Sequence, residues 1–383
     1  MAKSGPNAPC TCGSGKKYKK CCRDKLVSNV PRKFPINPRL LKQFLDRSNQ
    51  HNPMRLQTGH QVQIDFKDKR LFAVANNIYA HEGKQTFHQF LVNHLIMVLS
   101  ERWYYSESQK PIADRHPLLQ WISGANDSLK TITPKARYGE IRSFHPSGFA
   151  AAVLTFVDDM YQLAHVFSTP DKPILKRLRD SRTFQGARYE VFTASLIARC
   201  GYEVDFVDDK TRKAPDVTGK AKDGSATLAV EAKSRHRGPL SDAAAGPLRA
   251  DVGRLIREAM EQNPGTGPFL IFIDVNLPFS PQTPPAWFQE VTTFLNEQSL
   301  AKPKEHEPVS GVVATNYSWY FEGTQPSSDP EVVFFPNAAA TYPLPDTFWA
   351  ALSRALSEYG AIPDEEVRKI EFNKRYPDLP PLT

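Results

Sequence analysis

Residues 213–235 read KAPDVTGKAKDGSATLAVEAKSR, and this stretch decides the fold that we predict for the chain. An apolar run at 228–230 leads directly into Glu231 and Lys233, which predicts a strand that starts in a core and ends at a polar site. Because side chains alternate between the two faces of a strand, Glu231 and Lys233 lie on the same face. A second acid, Asp216, stands at the start of the short extended run before it. The stretch therefore predicts two neighbouring strands that bring three charged side chains together.

The segment between the two predicted strands, KDGS, is typical of a tight hairpin turn that would place Asp216 beside Glu231. Two converging carboxylates repel each other and lose hydration, and a hard divalent cation bound between them offsets both costs. The sequence thus predicts Asp216 and Glu231 as ligands of Mg²⁺ or Mn²⁺, with the carbonyl oxygen of Ala232 as a further ligand. The alternative is that Glu231 and Lys233 form an ion pair on a solvated strand face, and that Asp216 caps a turn.

A lysine beside such a cation suits the hydrolysis of a phosphodiester. The cation polarises the phosphoryl oxygen, stabilises the leaving group and lowers the pKa of a bound water. Lys233 can orient that water, or it can stabilise the negative charge that develops on the phosphate.

The segments around this stretch predict an α/β fold. GARYEVFTASLIARCG has the pattern of a helix that is closed by Gly201, and GPFLIFIDVNLP is an almost wholly apolar strand. The predicted order of elements is helix, strand, strand, strand, helix, strand, and VSGVVATNYSWYF and EVVFFPN add two candidate strands. This order predicts a mixed sheet flanked by helices.

The residues PD at 215–216 and EAK at 231–233 resemble the PD-(D/E)xK signature of the restriction-endonuclease-like superfamily. Fourteen residues separate the two acids, which is within the usual range of that superfamily. The resemblance covers about residues 180–280 and implies a restriction-endonuclease-like sheet flanked by helices. It also implies a metal-dependent nuclease.

The same resemblance implies a role for each acid. Asp216 and Glu231 would bind magnesium and Lys233 would assist the attacking water. Glu190, on the preceding helix, matches the acidic position on that superfamily's first core helix and would support the metal site or bind a second ion. The alternative for Glu190 is an exposed helix residue without a role.

The positive charge of the chain is concentrated at its start. Residues 1–36 hold nine Lys and Arg and one Asp, whereas the rest of the chain holds 40 basic and 40 acidic residues. Such a basic segment attracts nucleic acid or acidic proteins, and the alternative is a solvated flexible arm. No apolar run approaches the roughly 18–20 residues that span a bilayer. Because the start of the chain also shows no hydrophobic signal region, we expect a cytoplasmic protein without membrane contact.

Four cysteines crowd the segment PCTCGSGKKYKKCC at 9–22. Four thiolates so close together can wrap one zinc ion, and the lysines around them offset the negative charge of the centre. Disulfides or free thiols are the alternative, and a cytosolic setting argues against disulfides. The residues predicted to bind structural zinc are Cys10, Cys12, Cys21 and Cys22.

This cysteine segment resembles the SEC-C motif, a small zinc element found at the tail of the SecA translocation ATPase and in many other proteins. In that family the four cysteine positions bind zinc. The SecA element contacts a chaperone and the ribosome, but here the segment stands at the N-terminus, so that role does not transfer. The resemblance implies an accessory zinc element that could bind a protein or ribosomal partner.

These patterns predict four parts: a zinc element at 1–25, a linker at 26–38, a mostly helical domain of unknown role at 39–170, and the nuclease domain at 171–383. The predicted function is a Mg²⁺-dependent nuclease that acts on nucleic acid, with DNA as the expected substrate and RNA as an alternative. The alternative of another class is a non-catalytic module that binds nucleic acid or protein and is recruited through the SEC-C segment.

Overall fold

The structure is a computed structural model. The residues that it describes are 17, 32–33, 63–66, 69–74, 77–82, 86–132, 145–166, 172–207, 214–222, 224, 226–235, 250–301 and 308–360.

The chain divides into two compact units, one made of Met1–Arg115 with Pro363–Thr383 and the other of His116–Ile362. The boundaries predicted after residues 25, 38 and 170 come from sequence composition and stay a prediction. In the structure, the helices at 117–132 and 148–166 belong to the same unit as the large sheet.

Within its described residues, the first unit contains a small antiparallel sheet and two α-helices. The extended runs HQVQIDF and RLFAVANNIYA on either side of KDK predict a hairpin, which is confirmed, because Gln63 lies opposite Phe72 and Phe66 opposite Lys69. The helical pattern of TFHQFLVNHLIMVLSERWYY predicts one long helix, but the helix is interrupted at Ser100, whose φ of 82° ends the first part. The elements are β1 (Arg32–Lys33), β2 (Gln63–Phe66), β3 (Lys69–Val74), β4 (Asn77–Glu82), α1 (Phe87–Leu99), α2 (Glu101–Ser108) and a 3₁₀ turn (Ile112–Asp114).

The second unit holds eight α-helices within the described residues. The helical patterns of SGFAAAVLTFVDDMYQLAHVF and GARYEVFTASLIARCG match the observed helices at 148–166 and 184–199, whereas the helix at 172–179 was not predicted. The helices are α3 (Pro117–Ile132), α4 (Gly148–Val166), α5 (Lys172–Arg179), α6 (Phe184–Arg199), α7 (Val252–Met260), α8 (Ala286–Ala301), α9 (Trp319–Glu322) and α10 (Asp346–Ser357). None of the helices in the described residues is long and apolar enough to span a membrane.

A six-stranded mixed sheet forms the centre of this unit, in the order β10-β9-β8-β7-β6-β5. β7, β8 and β9 run parallel, and the other neighbours pair antiparallel. The mixed α/β class predicted from the order of elements is therefore confirmed. The strands are β5 (Tyr202–Phe206), β6 (Val217–Ala221), β7 (Thr227–Ser234), β8 (Phe269–Asp274), β9 (Gly311–Asn316) and β10 (Glu331–Pro336).

Helices cover both faces of the sheet. On one face Ile271 and Ile273 pack in a core with apolar residues of α7 and α8, and on the other the ring of Phe272 meets Phe192 of α6 at 6.4 Å between centroids. Strands β8 and β9 are buried along their whole length. Because burying each large apolar side chain stabilises the fold by roughly 1.5–3 kcal/mol, this central pair anchors the sheet. Polar groups are thereby left to the ends of the strands.

Candidate active site

The pairing of β6 with β7 places two acids side by side. Val217 lies opposite Val230 in the antiparallel register, so Asp216, which precedes β6, lies next to Glu231. The backbone N–H of Asp216 donates to Oε2 of Glu231 at 3.1 Å, and the N–H of Ala232 donates to Oδ2 of Asp216 at 3.0 Å. The backbone of each strand therefore fixes the carboxylate of the other.

Lys233 completes the group on the same face of β7. Its Nζ lies 2.5 Å from Oε1 of Glu231, and the Glu231 side chain is only 2% exposed. The alternative of an ion pair on a solvated strand face does not fit this burial. A hydrogen bond between ionised partners is short and strong, and here it joins a half-buried amine to a buried carboxylate.

Glu190 projects from α6 and is also buried, with 6% of its surface exposed. The alternative of an exposed helix residue is therefore wrong. Both terminal nitrogens of the Arg177 guanidinium donate to the Glu190 carboxylate, and Nη1 lies 2.5 Å from Oε1. Arg177 comes from α5, and the hydroxyl of Thr183 donates to the Arg177 carbonyl at 2.8 Å. The short turn between the two helices thus holds this bidentate pair in place.

The ionisation of the acids shows that they share one environment. Burial and then repulsion from Asp216 raise the pKa of Glu231 to about 8. The same two causes raise the pKa of Glu190 to about 7, although Arg177 opposes them. Burial also raises the pKa of Asp216. Burial lowers the pKa of Lys233, but the neighbouring Glu231 outweighs it, so the pKa of this amine is raised overall.

Charge is unbalanced in this cluster. Three carboxylates face two basic side chains, which are Lys233 and Arg177. When all of the groups are ionised, the cluster is one positive charge short of neutrality. A site of this kind favours a cation, because unpaired charge is costly in a desolvated place.

The donor set fits a hard divalent cation. Asp216 and Glu231 each accept a hydrogen bond from the backbone N–H at or beside the other, so their carboxylates lie side by side. In the described part of the chain, no group of three or more His, Cys, Asp and Glu residues is arranged to hold a metal. Two carboxylates are nevertheless what Mg²⁺ commonly takes from a protein, since water and substrate phosphate supply its other ligands.

A second polar cluster anchors the end of β7 to α6. The hydroxyl of Ser234 donates to Oδ2 of the buried Asp274 at 3.0 Å, and the amide of Gln185 donates to the same oxygen at 3.1 Å. Arg188 lies 3.4 Å from it. These contacts hold the strand that carries Lys233 against the helix that carries Glu190. Sequence patterns did not indicate this cluster, because its members are far apart in the chain.

The structure brings together the four residues that were predicted to be catalytic, Asp216, Glu231, Lys233 and Glu190. Their catalytic roles and the expected Ala232 carbonyl ligand stay predictions. Arg177 was missed. The apolar positions of KPILKRLR could have indicated its helix, but its pairing with Glu190 depends on a turn that the sequence does not specify.

Comparisons with known proteins bear on the N-terminal segment. Residues 7–24 match the family model of the SEC-C motif, and this range contains the four cysteines that were predicted to bind zinc. Cys10, Cys12, Cys21 and Cys22 lie outside the described residues. No curated protein and no solved structure shows a significant match to the chain.

Proposed function

We propose that the chain is a divalent-metal-dependent phosphodiester hydrolase, a nuclease of the PD-(D/E)xK type that acts on DNA. The observation that carries the proposal is the contact of Asp216 with Glu231 across two neighbouring strands, with Lys233 on the buried Glu231. The order of α6, β5, β6, β7, α7 and β8 supports a restriction-endonuclease-like core.

Asp216 and Glu231 would hold Mg²⁺ or Mn²⁺, with the carbonyl of Ala232 as a further ligand and Glu190 beside them. The bound cation would supply Lewis-acid polarisation of the phosphate and a more acidic water. The two carboxylates are already oriented by backbone N–H groups, so little reorganisation is needed before the reaction.

Lys233 acts in this proposal as a donor and not as a base. Because Glu231 raises the pKa of Lys233, the amine is protonated at neutral pH. A protonated amine can hold the attacking water or a phosphate oxygen and stabilise the charge that develops there.

The N-terminal SEC-C segment would form a zinc element through Cys10, Cys12, Cys21 and Cys22. This element and the basic residues around it would recruit the nuclease to nucleic acid or to a protein or ribosomal partner. A thiolate zinc centre suits a reducing compartment, so we place the protein in the cytoplasm.

Cleavage assays test the proposal. The purified chain would be incubated with linear and circular duplex DNA, single-stranded DNA and RNA, each with Mg²⁺, Mn²⁺ or EDTA. We expect metal-dependent cleavage of DNA, and a loss of roughly a hundredfold or more in rate for D216N, E231Q and K233A. The matched control is E203Q, which changes an exposed acid on β5 of the same sheet and should keep full activity. No cleavage under any condition, or full activity of K233A, would refute the hydrolase.

A second candidate function is a non-catalytic binding module that docks through the SEC-C segment. The match at residues 7–24 favours it, since that motif is an accessory element. Pull-downs with the full chain and with a variant that lacks residues 1–25 separate the two candidates. Loss of a partner without any hydrolysis by the full chain would support docking and contradict the nuclease.

A further inference from the structure

The exposed side of α5 is entirely basic. This helix, KPILKRLR, contains four basic residues and no acid, and its apolar residues Ile174, Leu175 and Leu178 are buried. We call the four basic side chains the α5 basic face. They are Lys172, Lys176, Arg177 and Arg179.

Two of these charges are not neutralised by any acid in the described part of the chain. Lys172 and Lys176 are exposed, and neither forms an ion pair with a residue that the structure describes. They are one helical turn apart, so their side chains project from neighbouring positions and repel each other. The repulsion is relieved when an anion with several charges binds across both.

The helix that carries the α5 basic face also supplies a partner of the candidate active site. Arg177, next in sequence to Lys176, grips Glu190 of the site. The turn after the helix is tightly bonded, because the Thr183 hydroxyl and the backbone N–H of Asp180 both donate to the Arg177 carbonyl, at 2.8 and 3.2 Å. The helix that carries the two lysines is therefore joined to the site through Arg177, which is five residues after Lys172 and one after Lys176.

We propose that the α5 basic face binds the phosphate backbone of DNA and guides a neighbouring phosphodiester to Asp216, Glu231 and Lys233. This inference rests on the proposed function and names the surface that presents the substrate. Phosphate contacts fix the position of a nucleic acid without reading its sequence.

The chemistry of the face favours DNA over an acidic protein. Protein interfaces depend on buried apolar and aromatic anchors, whereas all three large apolar residues of α5 are buried in the fold. The segment 172–188 carries six basic residues and one acid, although the chain after residue 36 is balanced overall. A local excess of positive charge without an apolar anchor suits a regular row of phosphates.

Binding measured without cleavage tests the surface. The full chain carrying D216N would be titrated in EDTA against a fluorescein-labelled 30-base-pair duplex, with anisotropy read over a series of salt concentrations. We expect K172Q/K176Q to weaken binding roughly tenfold or more and to reduce the slope of log K against log salt by about 1.8, since two phosphate contacts are lost.

The matched control is K220Q/K222Q, which removes two exposed lysines near the far end of β6 in the same unit. It should leave both the affinity and the slope nearly unchanged. Thermal unfolding of both double variants verifies that they fold.

Equal effects of the two double variants on DNA affinity would refute DNA binding by the α5 basic face. Displacement of DNA by polyglutamate at equal charge concentration would refute it too. DNA cleavage by the wild-type chain separates this inference from the proposed function. If the wild-type chain cleaves DNA and K172Q/K176Q binds it normally, the proposed binding surface is wrong and the proposed nuclease function stands. If K172Q/K176Q binds DNA weakly and the wild-type chain cleaves none, the proposed binding surface stands and the proposed nuclease function is wrong.

Discussion

At the residue scale, the contact between Arg177 and Glu190 compensates a carboxylate that is buried beside two others. Arg177 keeps part of its side chain in solvent, with 38% exposed, whereas the Glu190 side chain is 8% exposed. Removing one partner of such a pair is more costly than removing both, because a single removal leaves an uncompensated charge.

We predict that R177Q lowers the free energy of unfolding by about 1–3 kcal/mol, because Glu190 loses its bidentate donor. The double variant R177Q/E190Q should recover part of that loss. Urea unfolding in EDTA measures the free energy of unfolding of R177Q, E190Q and the double variant. If the effects of R177Q and E190Q simply add in the double variant, the two side chains are not coupled and this account of the pair is wrong.

A second buried acid lies away from the candidate site. Asp159 of α4 accepts hydrogen bonds from the hydroxyl of Ser195 at 2.6 Å and from that of Tyr359 at 2.7 Å. Burial is the main cause that raises the pKa of Asp159 to about 7, and Arg199 opposes it. The folded protein therefore retains a proton that the unfolded chain releases near pH 4.

This difference predicts that Asp159 stabilises the fold least at high pH. Its contribution is fully present below about pH 4 and is lost as the pH rises toward 7, by about 4 kcal/mol at most given 1.4 kcal/mol per pKa unit. D159N cannot ionise, so its stability relative to wild type should improve between pH 5 and pH 8. Urea unfolding at both pH values measures this, with D127N at an exposed position of α3 as control. A relative stability of D159N that does not change with pH would contradict the prediction.

At the scale of elements, one glycine shows how closely α10 packs on the sheet. A Cβ added to Gly311 of β9 would lie 2.4 Å from the Trp349 ring and 2.9 Å from the carbonyl oxygen of Phe335. Moving either the ring or the strand backbone would disturb close packing and cost free energy.

We therefore predict that G311A destabilises the fold by about 1–3 kcal/mol, as overpacking of a core does. The matched control is G186A in α6, where an added Cβ meets nothing within 4 Å. This substitution should be neutral or stabilising by up to about 1 kcal/mol, because alanine favours a helix. Chemical denaturation compares the two variants, and equal stability of both would show that the α10 contact is looser than described.

The strands could be predicted from the sequence because their pattern is local. The apolar runs at 228–230 and 269–274 each lie in an observed strand. The closeness of Asp216 to Glu231 also follows from local information, since a short hairpin fixes the register of its two strands.

The remaining contacts could not be predicted because they depend on how distant elements pack. Helix α5 has only eight residues, so its apolar pattern is too short to be distinctive. Its residue Arg177 meets Glu190 only because the turn at 180–183 folds the two helices together. The side-chain partners Ser234 and Gln185 of Asp274 lie 40 and 89 residues away in sequence, so no local pattern indicates them.

At the scale of the whole molecule, the chain combines a cysteine-rich, basic start with a body of balanced charge. The match to the SEC-C motif at residues 7–24 ends well before the candidate site. The SEC-C segment and the candidate active site are thus separate in sequence, and each can be tested without the other.

We predict that the purified chain contains one zinc ion per molecule and that C10S/C12S loses it, since zinc needs the thiolates as ligands. Elemental analysis after dialysis measures the content. The matched control is C200S, which changes the one cysteine outside the segment and should retain the metal. A full zinc content in C10S/C12S would place the ion elsewhere.

The most direct test of the central claim is a crystal structure of the chain soaked in Mn²⁺, with the ion located by its anomalous scattering. We predict one anomalous peak in contact with carboxylate oxygens of both Asp216 and Glu231, close to the carbonyl of Ala232. A structure with no peak at these residues at saturating Mn²⁺, or with Lys233 still bound to Glu231 and the ion elsewhere, would contradict the account.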